Sequence, residues 1–159
     1  MKVKNYLMML LVAVCAISCS DDDDAVNPSD VIAGTYSGYS WASFFGGSYT
    51  MLGEGESVGL TANADGTVGV SYTSGTWGTT TISAATVATG ADGYTLSGTG
   101  SAVIGNHNTG SSTTYECTFT GTVSAGKSDA ELTFTLPAVM NGTTIAFHPG
   151  EAPAEEGAE

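Results

Sequence analysis

The 159-residue chain has no arginine, and its three lysines, Lys2, Lys4 and Lys127, stand against sixteen acidic residues. A nucleic-acid-binding surface needs basic side chains to displace counterions from phosphate, so that class is excluded. Charge-driven attachment to an anionic lipid surface is excluded for the same reason. Three cysteines, Cys15, Cys19 and Cys117, are too few for a disulfide framework. Two histidines, His107 and His148, stand far apart with no acid–cysteine cluster nearby, which excludes a zinc site of the usual composition. Helical signals are also missing, since no window repeats apolar residues at spacings of three and four over several turns.

What is present begins at the amino terminus. Lys2 and Lys4 precede the apolar run "YLMMLLVAVCAI" at residues 6–17. That run is shorter than the about 20 residues needed to cross a bilayer and reads as a secretory signal over residues 1–18. "AISC" at residues 16–19 resembles the bacterial lipoprotein signal, with the small residues Ala16 and Ser18 before Cys19. The resemblance implies cleavage before Cys19, acylation of that cysteine and attachment to a membrane through the lipid. Residues 20–24, Ser20, Asp21, Asp22, Asp23 and Asp24, follow at once. A block of like charge repels itself and stays extended, which suits a linker over residues 19–30. The tract also resembles the acidic export signal of surface lipoproteins of Gram-negative gut anaerobes, which implies display at the cell surface.

Cleavage before Cys19 would leave Lys127 against all sixteen acids, a formal charge of −15. Acids crowd the linker and the tail "EAPAEEGAE" at residues 151–159, which is expected to be disordered. Residues 31–150 have few charges and are rich in Thr, Ser and Gly, enough chain for one domain with one core.

Period-two alternation dominates that domain. Val68, Val70 and Tyr72 share one face, Leu132, Phe134 and Leu136 another, and Tyr94 and Leu96 a third, with Gly98 and Gly100 in phase. Cys117 falls in phase with Tyr115, Phe119 and Val123 and reads as a buried small hydrophobe. Turn signals recur at Gly46, at "NADG" 63–66, at Gly75, at "GADG" 90–93, at "GNHNTG" 105–110, around Gly126 and at "NG" 141–142. Seven turns predict eight strands, near 32–44, 48–62, 67–74, 76–88, 94–105, 113–124, 129–139 and 143–148. Gly53 and Gly55 predict a bulge or bend in the second. The expected fold is all-β, an eight-stranded antiparallel up-and-down barrel, with an immunoglobulin-like sandwich as the alternative.

Residues 32–153 resemble the calycin-like β-barrel domain of Gram-negative surface lipoproteins. The resemblance rests on "GTYSGY" at 34–39, "WGTTTI" at 77–82, "YTLSGTG" at 94–100 and "LPAVMNGTTIAF" at 136–147. It implies a lipocalin-like architecture and no catalytic residues. The chain departs from true lipocalins, because Gly38 and Trp41 are one residue too far apart for their first-strand motif and no late arginine exists.

No constellation for chemistry emerges. His107 reads as a loop residue and His148 as a rim residue. Glu54, Glu56, Glu116 and Glu131 fall on strands and are expected to face water. Glu54 and Glu56 share a face two residues apart, the one arrangement that could serve as a paired-carboxylate site. Asp65, Asp92 and Asp129 sit at turns, where aspartate caps backbone. Aromatics are the remaining candidates. Tyr36, Trp41, Tyr72, Trp77, Tyr94, Phe119, Phe134 and Phe147 could line a barrel pocket. Without an arginine, the ligand of such a pocket should be neutral or cationic, with a small neutral molecule or glycan as the favoured reading. The alternative is a filled barrel that contacts another protein through an exposed aromatic patch near Trp41, Phe44 and Phe45. Neither reading needs a cofactor or metal, and neither is an enzyme.

Overall fold

The structure, a computed structural model, describes residues 26–105 and 109–154. The signal segment, Cys19, the acidic tract at 20–24, His107 and residues 155–159 lie outside the described residues.

Eight strands alternate with short turns: β1 (Gly34–Phe44), β2 (Tyr49–Ala62), β3 (Val68–Ser74), β4 (Gly78–Thr89), β5 (Gly93–Gly105), β6 (Ser112–Ser124), β7 (Ala130–Leu136) and β8 (Thr143–Pro149). Each pairs antiparallel with the next, and β8 returns to β1, closing a barrel. Closure runs from Gly38 opposite Pro149 to Ser43 opposite Thr144. The expected strands and turns are all found. The seventh ends at Leu136 rather than at 139. Pro137 follows it, and proline has no N–H to donate to a ladder.

One element carries no strand signal. Residues expected to open the first strand instead finish a helix, α1 (Pro28–Ile32). Asn27 caps it by accepting from the Ser29 N–H, and Pro28 supplies the fixed φ suited to a first turn. Ile32 is fully buried, and the Tyr36 hydroxyl donates to the Ile32 carbonyl at 2.8 Å. Lys127 donates to the Ala33 carbonyl at 2.9 Å. The helix thereby covers one end of the barrel. The opposite end carries the turns after β1, β3, β5 and β7.

The alternating faces meet in the interior. Val68, Val70 and Tyr72 from β3 face Leu132, Phe134 and Leu136 from β7, with Cys117, Phe119 and Val123 from β6 beside them, all buried. Tyr72 stacks on Phe134 at 5.0 Å between ring centroids, and Phe119 lies 5.2 Å from Phe134. Phe147 meets Tyr72 edge-on. Such ring pairs add roughly 0.5–1.5 kcal/mol each beyond area burial. Rings and aliphatic side chains fill the middle of the barrel.

Closing eight strands demands tight bends, and two glycines supply one. Gly98 and Gly100 lie where the β4–β5 register shifts between Thr81 and Thr86. A Cβ on Gly100 would fall 2.1 Å from the Thr81 carbonyl oxygen and 2.9 Å from the Ile82 Cα, which are backbone atoms that cannot swing aside. Gly100→Ala should therefore cost about 2–3 kcal/mol in urea unfolding. Gly75→Ala, at a turn with nothing within 4 Å, should stay within about 0.5 kcal/mol.

Candidate functional site

The clearest departure from alternation lies in β2. The expected bulge is present, with the β1–β2 register shifting between Gly38 and Ser40. Gly55, at φ 65°, takes the backbone conformation that lets the extra residue fit. The bulge reverses the phase of everything behind it. Glu54 points to solvent, whereas Glu56 points inward and is 2% exposed. The expectation that Glu56 faces water is thus corrected, as is the shared face of Glu54 and Glu56, because the inserted residue turns them to opposite sides.

Inside, Glu56 has no basic partner and is satisfied by hydroxyls. Tyr72 donates to Oε2 at 2.5 Å and Ser74 to Oε1 at 2.6 Å. Ser74 in turn accepts from the backbone N–H groups of Thr76 and Trp77, at 3.1 and 3.0 Å. Those two bonds commit its own proton to Glu56. Ser40 lies 3.3 Å from the Tyr72 hydroxyl. Burial, and then the bond to Glu56, raise the Tyr72 pKa, so its phenol stays protonated as the donor. Space for the carboxyl comes from Gly53, where a Cβ would fall 2.3 Å from Oε1. Ser40 and Ser74 carry no site signal in the sequence analysis, and Gly53 enters there only as part of the predicted bulge. Ser74 follows Val68, Val70 and Tyr72 in phase, a signal that could have found it.

The aromatic candidates divide by position. Tyr72, Phe119, Phe134 and Phe147 are fully buried in the packed interior. Tyr36 is buried at the α1 end, where it holds Ile32. Tyr94 is half-buried and packs against the core, as does Trp77 at the opposite end. Trp41 does not join them. It alternates with the inward Ser40 and Ala42, so it stands on the outer wall, 40% exposed. The eight residues do not converge on one cavity. Phe44, expected on an exposed patch, is also corrected: it is 4% exposed, 5.2 Å from the Trp77 ring. The Trp77 indole Nε1 is buried with no acceptor among the described residues.

At that end Phe45, Tyr49, Met51 and Met140 are more than a third exposed, with Tyr49 and Met51 opposite Phe44 and Ala42 in the ladder. Phe45 and Met140 both have positive φ, 51° and 46°, and the Phe45 N–H donates to the Met140 carbonyl. Side chains of this size in the left-handed region cost about 1 kcal/mol or more each. Segments 40–53, 74–80, 102–105, 109–115 and 136–146, which build the described part of this end, contain no Asp, Glu, Lys or Arg.

Two grooves mark the outer wall. One, of about 490 Å³, is lined by residues 90–95, 122–124 and 129–131 and by His148. The other, of about 720 Å³, is lined by Tyr39, Glu54, Glu56 and Glu151 among others. His148 stacks on Tyr39 at 5.4 Å between ring centroids. Among the described residues no group of three or more His, Cys, Asp or Glu could hold a metal ion, and no helix is long and apolar enough to cross a membrane.

This architecture has a counterpart among known families. The model of the calycin-like beta-barrel domain matches residues 32–151. The chain belongs to that family. The calycin-like domain also resembles the crystal structure of a candidate outer membrane protein from Bacteroides fragilis NCTC 9343, at 26% sequence identity and a TM-score of 0.60. The match covers 78% of this chain and 46% of that one, so this calycin-like chain spans about half of its neighbour's length. No curated protein matches it.

Two outcomes follow for the calycin-like interior. Glu56→Ala strands two buried hydroxyl donors and should destabilise the fold by about 3 kcal/mol, and Tyr72→Phe by about 1.5–3 kcal/mol. Combined with Glu56→Ala, Tyr72→Phe should cost at least about 1 kcal/mol less than the sum of the two single changes, because each alone removes the Tyr72–Glu56 bond. Chemical denaturation measures all of these.

Cys117 is 2% exposed, and burial pushes its thiol from 9.0 up to about 11. At pH 8 its alkylation, mapped by mass spectrometry, should run about a hundredfold slower in the folded chain than in the unfolded one. The stability tied to its proton is complete below pH 9 and is lost as pH rises toward 11, because only the unfolded thiol ionises across that window.

Proposed function

We propose that this chain is a lipid-anchored outer-membrane protein displayed at the cell surface, and that its barrel is a non-catalytic recognition module working through its outer surface. The observation that carries this reading is the contrast between a filled interior and an unfilled end. A small neutral ligand or glycan held inside would have to displace the stacked rings of Tyr72, Phe119, Phe134 and Phe147, which leave no side chain to spare. At the end away from α1, by contrast, Trp41, Phe45, Tyr49, Met51 and Met140 offer apolar surface with no charge among them. Surface of that kind marks contact with another molecule. The absence of catalysis is supported by the separation of Glu54 from Glu56 and by the burial of Cys117. Location and anchoring are supported by the "AISC" motif, the tract at 20–24 and the outer-membrane neighbour.

Metabolic labelling with a palmitate analogue should mark the wild-type chain and not Cys19→Ser, and protease applied to intact cells should remove the domain. An unlabelled wild-type chain overturns the anchor. Nile red titrated into the purified protein should show no saturable interior site, and a one-to-one site quenched by changes at Phe134 would restore the enclosed-ligand reading instead.

A further inference from the structure

The barrel is closed around only part of its height. β3 pairs with β2 from Ser57 to Ala62 and goes no further, because its hairpin turns at 75–77. β1 pairs with β2 from Gly34 to Tyr49's partner Phe44, along nearly the full strand. Residues 49–56 are thus laddered on one edge, and β3 offers them no register partner on the other. This stretch of β2 is the edge of an arm whose inner strand, β1, is held to β8 from Gly38 to Ser43. A second overhang exists at residues 112–117 of β6, which precede the β6–β7 ladder. That one is Ser- and Thr-rich, whereas the first carries Tyr49 and Met51, half-exposed, beside Phe45 and Met140 held in left-handed backbone. Free edges are usually guarded by lysine, proline or inward charge. Residues 49–53 have none of these.

We infer that residues 49–55 form a docking edge that takes an extended segment of a partner protein as an added antiparallel strand. This rests on reading the uncharged end as the recognition surface. Strand addition supplies backbone bonds along the edge and side-chain contacts at alternate positions. Partner residues facing Tyr49 and Met51 should be apolar. An antiparallel segment would lie with its amino end over Glu54, which is exposed and shares a groove with Glu151. Among the described residues no basic side chain is near, since the one lysine, Lys127, is bonded at the α1 end. A lysine or arginine at the amino end of the partner segment completes that pairing. A second copy fits less well. Two arms paired antiparallel would send their amino termini to opposite sides. Residues 19–26 span at most about 25 Å, so both copies could not reach one membrane.

The test uses the mature full-length protein, the synthetic peptide Lys-Val-Thr-Val-Thr-Val and a Glu-headed version of it. Hydrogen exchange should show amides at 49–55 gaining protection with the Lys-headed peptide at millimolar concentration. Glu54→Lys should weaken that peptide at least tenfold by fluorescence anisotropy, and should bind the Glu-headed peptide more tightly than wild type does. Absence of protection at 49–55, or protection at 112–117 in its place, overturns the arm as the site. So does peptide-free protection that grows with protein concentration, which assigns the edge to a second copy, or protection by phosphatidylcholine vesicles alone, which assigns the patch to a membrane. A barrel that rejects Nile red and also shows no protection at 49–55 keeps the recognition reading and sinks only this inference.

Discussion

Closure of the sheet between β1 and β8 is the constraint on which the other features depend. Six residue pairs join them, from Gly38–Pro149 to Ser43–Thr144. A strand that must meet both of its neighbours cannot stay straight, and the chain meets this demand with bulges where registers shift. The shift between Gly38 and Ser40 lies in the β1–β2 ladder, beside the closing β1–β8 pair, whose own register runs unbroken from Gly38 to Ser43. It bends β1 and β2 together and, as a by-product, turns one glutamate from solvent to interior. Gly53 has no side chain where that carboxyl needs room. The buried acid is therefore a consequence of how the cylinder shuts.

An inward acid in a chain with no arginine has few possible partners. A guanidinium would bring its own desolvation cost, whereas hydroxyls bring less. Tyr72 and Ser74 come from β3, the strand beside β2, and each gives one proton to one oxygen. Ser74 is also tied to the turn at 76–77, so the same atoms fix the tip of the β3–β4 hairpin against β2. That tip is where the β2–β3 ladder stops. The network that satisfies Glu56 and the point at which the barrel ceases to be closed are thus one place, and the overhang of β2 begins there.

Much of this was legible in the sequence. Alternation in "TVGVSYT" and "ELTFTL" gave faces that are buried in the structure, and the Gly-rich turns marked every strand boundary to within a few residues. These signals are local, one residue against its second neighbour, and closure does not disturb them. The bulge at Gly53–Gly55 was also anticipated. Its consequence was not, because counting by twos past an inserted residue puts every later side chain on the wrong face, and so Glu56 was assigned to water. The site was less readable for a second reason. Trp41 and Tyr72 look alike in composition terms, as aromatics on strands, yet one stands outside and the other at the centre. Only the phase relative to Ser40 and Ala42 separates them. The helix at Pro28–Ile32 carried its Asn-Pro cap in plain view, but five residues are too few to show a period.

Polarity along the barrel axis joins these parts into a functional argument. Described acids gather toward the α1 end, at Asp30, Asp65, Asp92, Asp129, Glu131 and Glu151, together with the one described lysine. The chain also enters the domain there. Glu54 and Glu116 stand on the two overhangs, and beyond them the described residues of the opposite end carry no charge; that end holds the strained Phe45 and Met140 and the free edge of β2. Solubility alone would favour the reverse arrangement at any solvent-facing tip, since exposed apolar surface next to an unpaired edge invites aggregation. Repulsion between chains of formal net charge −13 opposes crowding of copies, although screening limits it to about 8 Å at physiological salt. Among the described residues the charge is concentrated at the α1 end, so repulsion between copies acts mainly there. In the proposed recognition reading, contact with a partner offsets both the backbone strain and the risk of self-association at that end.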